Sequence, residues 1–387
     1  MHVVMLGDYP ASLDKIRGGV EAVVLYLTQT LQTHSDLKLD VITLSSRGTE
    51  KRVVKHNGTT VHYLPRVNLP SRLSYAGNIR QMRDEILALK PDLVHAHIAG
   101  EFAEAAAETG LPWILTMHGI RFLEANLRPG LLNRYRGWFI KREELHALKR
   151  AKHIISISPF VQAAFNGQIK GQVYDVENPV KEDFFQADAN KGNPYQLLFL
   201  GRLIRRKGVH TLLQAFAELH QRIPEATLRL AGGGVHSRAY TDEYYQGLKQ
   251  FVAEAGLEKA VTFLGEIDEA AVIQEYEDCA ALVLPSILET ASMVILQAMA
   301  VGKPVISTDV GGAKYLIEHG RSGLLVPSNN ASALTEALYQ ALSDTDNLIK
   351  MGQRGKELAL QRFHVQVVAD KTRELYYKVL GEPLPVS

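Results

Sequence analysis

"LPSILETASMVILQAMAVGKPVIST", residues 284–308, is the stretch that decides how this 387-residue chain folds. It reads as a strand ending at Pro285-Ser286, a short loop carrying Glu289, an almost wholly apolar helix, and a second strand that begins at Pro304. The helix is expected to start near Thr290, where its first N–H groups, around Ala291 to Val294, are free to meet an anion. Gly302 and Pro304 then stop it. One polar side chain, Gln297, sits among Met293, Val294, Ala300 and Val301, its neighbours at three and four residues' distance. Two readings of it stand: a buried amide satisfied by backbone carbonyls, or an amide offered to a diol.

Working outward, the same alternation fills the chain. "HVVMLG", "LDVITLSS", "TVHYLP", "LVHAH", "WILTMHG", "HIISIS" and "VYDVEN" form one series of strand-like runs, and "QLLFLG", "ATLRLAGGG", "AVTFLGE", "AALVLPS", "KPVISTD" and "SGLLVP" a second. Mostly continuous apolar strands separated by amphipathic helices imply parallel sheets covered on both faces. The fold class is α/β, with two Rossmann-like doubly wound domains facing across a cleft. The polar, proline-containing stretch "NPVKEDFFQADANKGNPYQ" places the boundary, giving domains over 1–180 and 181–362. A helix over about 363–380 could pack on either.

Composition narrows the class. The net charge is +1, and no run of about 18 apolar residues marks a membrane span. The N-terminus enters a strand directly, so no secretory leader is expected. With the single cysteine, Cys279, no intramolecular disulfide can form, which points to a reducing, cytoplasmic setting. Residues 1–178 hold 22 Lys and Arg against 17 Asp and Glu, while the remainder is net acidic. The excess gathers in "RPGLLNRYRGWFIKREELHALKRAKH", where Arg128, Arg134, Arg136, Lys141, Arg142, Lys149, Arg150 and Lys152 interleave with Leu131, Leu132, Tyr135, Trp138, Phe139 and Ile140. Such a helix either lies on an anionic bilayer, peripheral on the inner face, or is a solvated face with an apolar stripe toward the core. Nucleic acid is not expected as a partner.

Chemistry is sought at strand ends, where open α/β sheets bind ligands. Gly18 and Gly19 open a helix after the first strand, but G-x-G-x-x-G is absent. His95 and His97 share one face of a strand end and lack a third ligand at metal spacing, so no metal site is expected. His118, followed by Gly119, closes another strand. Arg202 and Lys207 lie on a strand-to-helix loop, where two cations can grip one diphosphate or simply belong to a solvated run with Arg205 and Arg206. Glu289 would be repelled by phosphate and should face hydroxyl donors, such as those of a sugar.

Together "RGGVE", "TMHG", "NPV", "GRLIRRKG", the opening stretch and "DVGGAKYLIEHGRSGLLV" resemble the retaining, nucleotide-sugar-dependent glycosyltransferases of family four, with the GT-B architecture. The resemblance covers nearly the whole chain and implies roles residue by residue. Arg202 and Lys207 match the pair that holds the donor diphosphate, Glu289 the acid that contacts the donor sugar, and Gly19, beside Gly18, the loop glycine near the phosphates. His118 resembles the histidine near the sugar's hydroxymethyl group and reacting centre. Ser292, Met293 and Val294 correspond to backbone donors to phosphate, and Glu266 and Ile267 in "FLGEID" to the loop framing the nucleobase. The chain departs from the family at Thr290-Ala291-Ser292, where glycines are common, at Gln297, which replaces the second acid that binds the ribose, and at Lys314-Tyr315.

The implied reaction moves a hexose-type sugar from a UDP- or GDP-sugar to a hydroxyl of a glycan or lipid-linked acceptor. The bond to the diphosphate breaks through an oxocarbenium-like transition state, and the cations and helix N-terminus meet the charge that grows on the leaving oxygen. No cofactor or divalent ion is then required. Retaining glycosidases use two carboxylates, whereas this stretch offers one carboxylate and one amide, which favours same-face attack without a covalent intermediate. A nucleotide-sugar epimerase and a non-catalytic sugar-nucleotide-binding protein are the competing readings.

Overall fold

Apolar runs bounded by glycine, proline and polar loops condense into parallel strands because both faces of each sheet are covered. The structure is a computed structural model that describes residues 1–13, 16, 18–45, 50–56, 58–67, 71–127, 130–233 and 241–385; Arg17 and Arg128 lie outside the described residues. The chain forms two units, residues 1–179 with 365–387, and residues 180–364.

In the first unit the strands are β1 (His2–Leu6), β2 (Lys38–Ser45), β3 (Arg52–His56), β4 (Thr59–Pro65), β5 (Leu93–His97), β6 (Trp113–Met117), β7 (His153–Ser156) and β8 (Gln172–Asp175). They lie in the order β3-β4-β2-β1-β5-β6-β7-β8. All neighbours are parallel except β3 and β4, which pair antiparallel. β3 corrects the expectation of seven strands here. Its sequence, RVVKH, is charged and mostly exposed, as suits an edge strand, so it carries no apolar run to reveal it.

The second unit contains β9 (Gln196–Leu200), β10 (Thr227–Ala231), β11 (Val261–Gly265), β12 (Ala281–Leu284), β13 (Val305–Thr308) and β14 (Gly323–Val326), all parallel, in the order β11-β10-β9-β12-β13-β14. The opening stretch supplies the last residue of β12, the helix Met293–Val301 and β13. That helix is apolar nearly all round because it is covered nearly all round. β12 and β13 lie on one side, and the helices Glu182–Gln186 and Thr345–Arg362 pack against the other. Gly352 brings the outer helix close, since a Cβ there would lie 2.0 Å from the Gly302 carbonyl oxygen. Gly302 caps the helix in the left-handed region, its N–H bonded to the carbonyls of Ala298 and Met299.

The helix Val365–Leu380 packs on the helix Gly19–Leu31 of the first unit. Arg373 and the Tyr377 hydroxyl both bond to Asp36, at 3.0 and 2.7 Å. The N–H of Val180 donates to the Phe363 carbonyl at 2.7 Å, so the two ends of the second unit are paired.

In the first unit the helix Leu131–Arg150 turns Gly137, Glu144, Ala147 and Leu148 inward. Its aromatic residues, with Leu131 and Leu132, do not join that inward face. They face solvent, from 51% exposed at Trp138 to 83% at Leu131. Buried Glu144 accepts the backbone N–H groups of Arg121 (2.8 Å) and Phe122 (3.3 Å), capping the short helix Arg121–Asn126 that follows His118. Burial pushes its carboxyl up to about 7, against the opposing pull of those N–H bonds and of Arg121. A folded-state pKa above the unfolded one means that the native state holds the proton more tightly. Stability from this group therefore grows as pH falls from about 8 toward 5, by at most about 1.4 kcal/mol per pH unit. We expect Glu144→Gln to remove this increment. Urea unfolding of both proteins at pH 8 and 6.5 checks it, and a stability difference that does not change with pH would refute the assignment.

Candidate functional site

Parallel strands bring their carboxyl ends to one edge of each sheet, β3 excepted, and in each unit the chain builds first on one side of its first strand and then on the other. In the second unit β9 leads to β10 and β11 on one side, and β12 lies on the other, so the switch point falls between β9 and β12. The loops leaving these two strands carry the residues singled out in the sequence.

After β9 comes Gly201, then exposed Arg202, then a 3-10 turn, Arg205–Lys207. This is not a solvated charge run. Lys207 is only 9% exposed, and its Nζ sits 2.5 Å from Oε1 of Glu289, itself 5% exposed, on the loop after β12. The Ser286 hydroxyl donates to the same carboxylate oxygen at 2.6 Å. Burial alone would raise the Glu289 pKa, but the charges of Lys207 and Arg206 and the bonds from Lys207 and Ser286 outweigh it, so the carboxyl is held below its ordinary range. Arg206 binds the two loops further. Its guanidinium donates to the Leu288 carbonyl (2.9 Å), and its own carbonyl accepts from Ile287 N–H (2.8 Å).

Two glycines permit this closeness. Gly208 has φ of 68°, and a Cβ there would fall 1.9 Å from the Pro285 oxygen. Gly311 has φ of 56°, and its Cβ would fall 1.8 Å from the Glu289 oxygen, which accepts Gly312 N–H at 2.9 Å. The segment after β13 thus clamps the backbone that presents Glu289.

The helix begins later than expected. Thr290 and Ala291 are in the loop, Ser292 is the N-cap without a side-chain cap bond, and Met293 is the first helical residue. Tight backbone pinning at Glu289 delays the helix. The first bond into the helix start is Ile295 N–H to the Ser292 carbonyl, 3.1 Å, which leaves the preceding N–H groups as the helix's donor end. Gln297 is half-buried, in register with partly exposed Ala291 and Val294, and so is not the fully buried amide of one sequence reading. Glu266, exposed, packs its carboxylate against Gly233, and Ile267 follows half-buried at the end of β11.

In the first unit the switch point lies between β1 and β5. Gly18 caps the helix Gly19–Leu31 in extended backbone, and nothing lies within 4 Å of where its Cβ would be. Neither strain nor crowding in the protein requires glycine at 18. Across the switch point three histidines adjoin. His95 is satisfied at both nitrogens, by the Tyr376 hydroxyl (2.8 Å) and by Thr116 (2.7 Å), and packs its ring on His97. His97 Nδ1 lies 2.8 Å from His118 Nε2. The rings of that pair are 5.0 Å apart and 9° from parallel. A nitrogen contact that short cannot occur between stacked planes, so the rings meet edge to edge in one plane. Burial holds all three imidazoles neutral, pushing His95 down to about 3, His118 to about 4, and His97 well below its ordinary value.

Sequence reading named Arg206 and His97 only within a charge run and an incomplete metal pair, and gave Ser286 and Gly311 no role; the local signal for Ser286 was its place after Pro285, three residues before Glu289. Among the described residues no cluster of His, Cys, Asp and Glu is suited to hold a metal, and no helix is long and apolar enough to cross a membrane.

Comparison with known proteins adds to this geometry. The family model of the group 1 glycosyl transferases matches residues 180–358, and that of glycosyltransferase family 4 matches residues 17–184. The chain is 28% identical to a D-inositol 3-phosphate glycosyltransferase of Arthrobacter sp., over 97% of this chain and 93% of that protein. The sucrose-phosphate synthase of Thermosynechococcus elongatus superposes with a TM-score of 0.82 at 22% identity, covering 98% of this chain and 99% of the other. An Anabaena protein solved with UDP-glucose superposes with a TM-score of 0.74 at 21% identity, covering 98% and 100%. At such identity these superpositions show the shared fold.

The buried ion pair can be tested without any substrate. Lys207→Met should cost about 3–5 kcal/mol by leaving the Glu289 carboxylate buried without its main partner. Adding Glu289→Gln should recover much of that loss. Losses that simply add, measured by urea unfolding, would show that the two side chains do not depend on each other.

Proposed function

Because the chain belongs to the group 1 glycosyltransferases, built on the GT-B fold, we propose that it moves a hexose-type sugar from a UDP- or GDP-sugar to a hydroxyl of a glycan or lipid-linked acceptor, with retention of configuration. The observation that carries this reading is the Lys207–Glu289–Ser286 cluster at the switch point, beside exposed Arg202 and the open start of the helix Met293–Val301. The relative solved with UDP-glucose supports a nucleotide-sugar donor. In this reading the second unit binds the donor and the first the acceptor.

Arg202, Lys207 and the N–H groups of Ser292, Met293 and Val294 meet the diphosphate. As the anomeric bond breaks, negative charge gathers on the leaving oxygen, and fixed donors already aimed there stabilise it. They do the electrostatic work that a divalent ion would otherwise do, so no cofactor is invoked. Glu289 accepts hydrogen bonds from the sugar's hydroxyl groups, while Ser286 fixes the direction of its carboxylate. Gln297 reads the ribose through neutral hydrogen bonds, Glu266 and Ile267 frame the base, and Gly18 with Gly19 leaves room for the phosphates. To His118 this reading assigns the sugar's hydroxymethyl group and the reacting carbon. A single carboxylate suits same-face attack by the acceptor within an ion pair rather than a covalent sugar–enzyme intermediate.

A screen of nucleotide sugars for thermal shift, followed by nucleoside diphosphate release with candidate acceptors, tests the proposal. Arg202→Ala should abolish release, and Gln297→Glu should change donor affinity. Unchanged turnover in the first variant would remove Arg202 from the reaction. Consumption of donor without acceptor would indicate an epimerase, and a thermal shift without turnover a binding protein.

We place the enzyme in the cytoplasm, peripheral on the inner membrane face. Support comes from the helix Leu131–Arg150, where exposed Leu131, Leu132, Tyr135, Trp138 and Phe139 stand among Arg134, Arg136 and Arg142. Arg142 caps the Trp138 ring at 5.0 Å. Each cation near an anionic surface adds about 1 kcal/mol of attraction, beside burial of the apolar side chains. Flotation with anionic liposomes at low salt should carry the protein up, and Leu131→Asp with Leu132→Asp should leave it behind. Failure of the unaltered protein to float would end the membrane assignment.

A further inference from the structure

His97 serves no role so far beyond touching His118, and the pattern of filled and empty hydrogen-bond positions around the pair assigns it one. Four ring nitrogens in the neighbourhood are settled: both of His95, by Tyr376 and Thr116, and the two that join His97 to His118. Around the same pair, three buried polar atoms are left without a hydrogen-bond partner: Nε2 of His97, Nδ1 of His118 and the amide oxygen of Asn178.

Each neutral imidazole carries one proton, so the edge-to-edge contact has one donor and one acceptor. If His97 carried its proton on Nε2, that N–H would be buried with nothing to accept it. A buried orphan N–H is rarer and costlier than an orphan lone pair. The proton therefore belongs on His97 Nδ1, which donates to His118 Nε2. His118 must then hold its own proton on Nδ1. That side of the ring adjoins Asn178, whose amide oxygen needs a donor and which raises the ring's proton affinity against the stronger effect of burial. The assignments agree from both ends.

We infer that His97 and Asn178 are positioning residues that fix His118 as a neutral Nδ1–H tautomer, with Nε2 a lone pair turned into the protein. The inference rests on the role proposed for His118 at the reacting centre. There a neutral ring has a chemical purpose. The anomeric carbon gains positive charge as the diphosphate leaves, and an imidazolium beside it would oppose that change. The donated hydrogen bond from His97 stabilises the lone pair of the neutral form. Removing it therefore makes the ring easier to protonate. The other titratable groups around the pair are His95 beneath it, Tyr376 from the helix Val365–Leu380, and Glu177 next to Asn178, which is paired with Lys371 at 3.4 Å.

The test uses the full chain labelled with 15N-histidine, together with three variants. Long-range proton–nitrogen spectra at pH 7 should show His118 with a protonated Nδ1 and a lone pair on Nε2. In His97→Asn the side-chain amide N–H replaces Nδ1–H, so the pattern should persist. In His97→Leu it should be lost, kcat should fall about tenfold with donor KM unchanged, and the acid limb of the rate profile should move up in pH. His97→Asn should recover most of the lost kcat, which a purely structural role for the ring would not explain. A proton on Nε2 of His118 in the unaltered protein overturns the inference, as does a His97→Leu protein with unchanged spectrum and rate. His118→Ala separates the two readings. Full transfer by that variant removes His118 from the reaction and the positioning role with it. An inactive His118→Ala alongside an Nε2 proton overturns only the tautomer and leaves the proposed site intact.

Discussion

A buried ammonium and a buried carboxylate, 2.5 Å apart, join the two loops on which the second unit depends. Taking either charge from water alone would cost several kcal/mol, and their attraction offsets this only when the remaining lone pairs are filled. Ser286 fills one of them, and Arg206 adds positive potential from the same turn. The pair also sets geometry. Lys207 leaves β9 and Glu289 leaves β12, so their contact holds the neighbouring loops at the point where the sheet reverses direction. Before any ligand arrives, the carboxylate is largely neutralised by its partner. Under the proposed reaction, attraction for a diphosphate then falls more heavily on Arg202 and the helix N–H groups, while Lys207 balances the one negative side chain nearby.

The frame of parallel strands was legible because both faces of each sheet are covered, which writes strands as unbroken apolar runs. β3 escaped for the same reason. An edge strand with exposed Arg52, Val53 and Lys55 has no inward face to advertise it. Candidate residues were legible by position, since Arg202, Lys207, Glu289 and His118 all lie just past strand ends. Their partnerships were not. Lys207 and Glu289 are 82 residues apart in sequence, and each was read singly, as a cation for phosphate and an acid for hydroxyls. The helix start was misplaced by the same kind of distant contact. Thr290 and Ala291 carry no signal against helix, but Gly311 and Gly312 pin the carbonyl before them.

In the first unit, local and distant contacts meet around His118. Glu144 reaches from the basic helix to the N–H groups of Arg121 and Phe122, so the loop after His118 is held by the same helix that exposes leucines and aromatics. On the opposite side Tyr376 fixes His95, which supports His97. The helix that exposes leucines and aromatics and the buried row of neutral rings thus hold the two sides of His118.

The helix Val365–Leu380 also governs the order in which the protein can be made. Tyr376 bonds to a residue 281 positions earlier, and Arg373 to one 337 positions earlier. The second unit, closed by its paired ends at Val180 and Phe363, has all its residues before that helix is synthesised. Domains usually complete themselves from the N-terminus as the chain emerges. Here the unit that begins first is finished last: Asp36 and Nδ1 of His95 receive Arg373 and Tyr376 only after the whole of the second unit has been made.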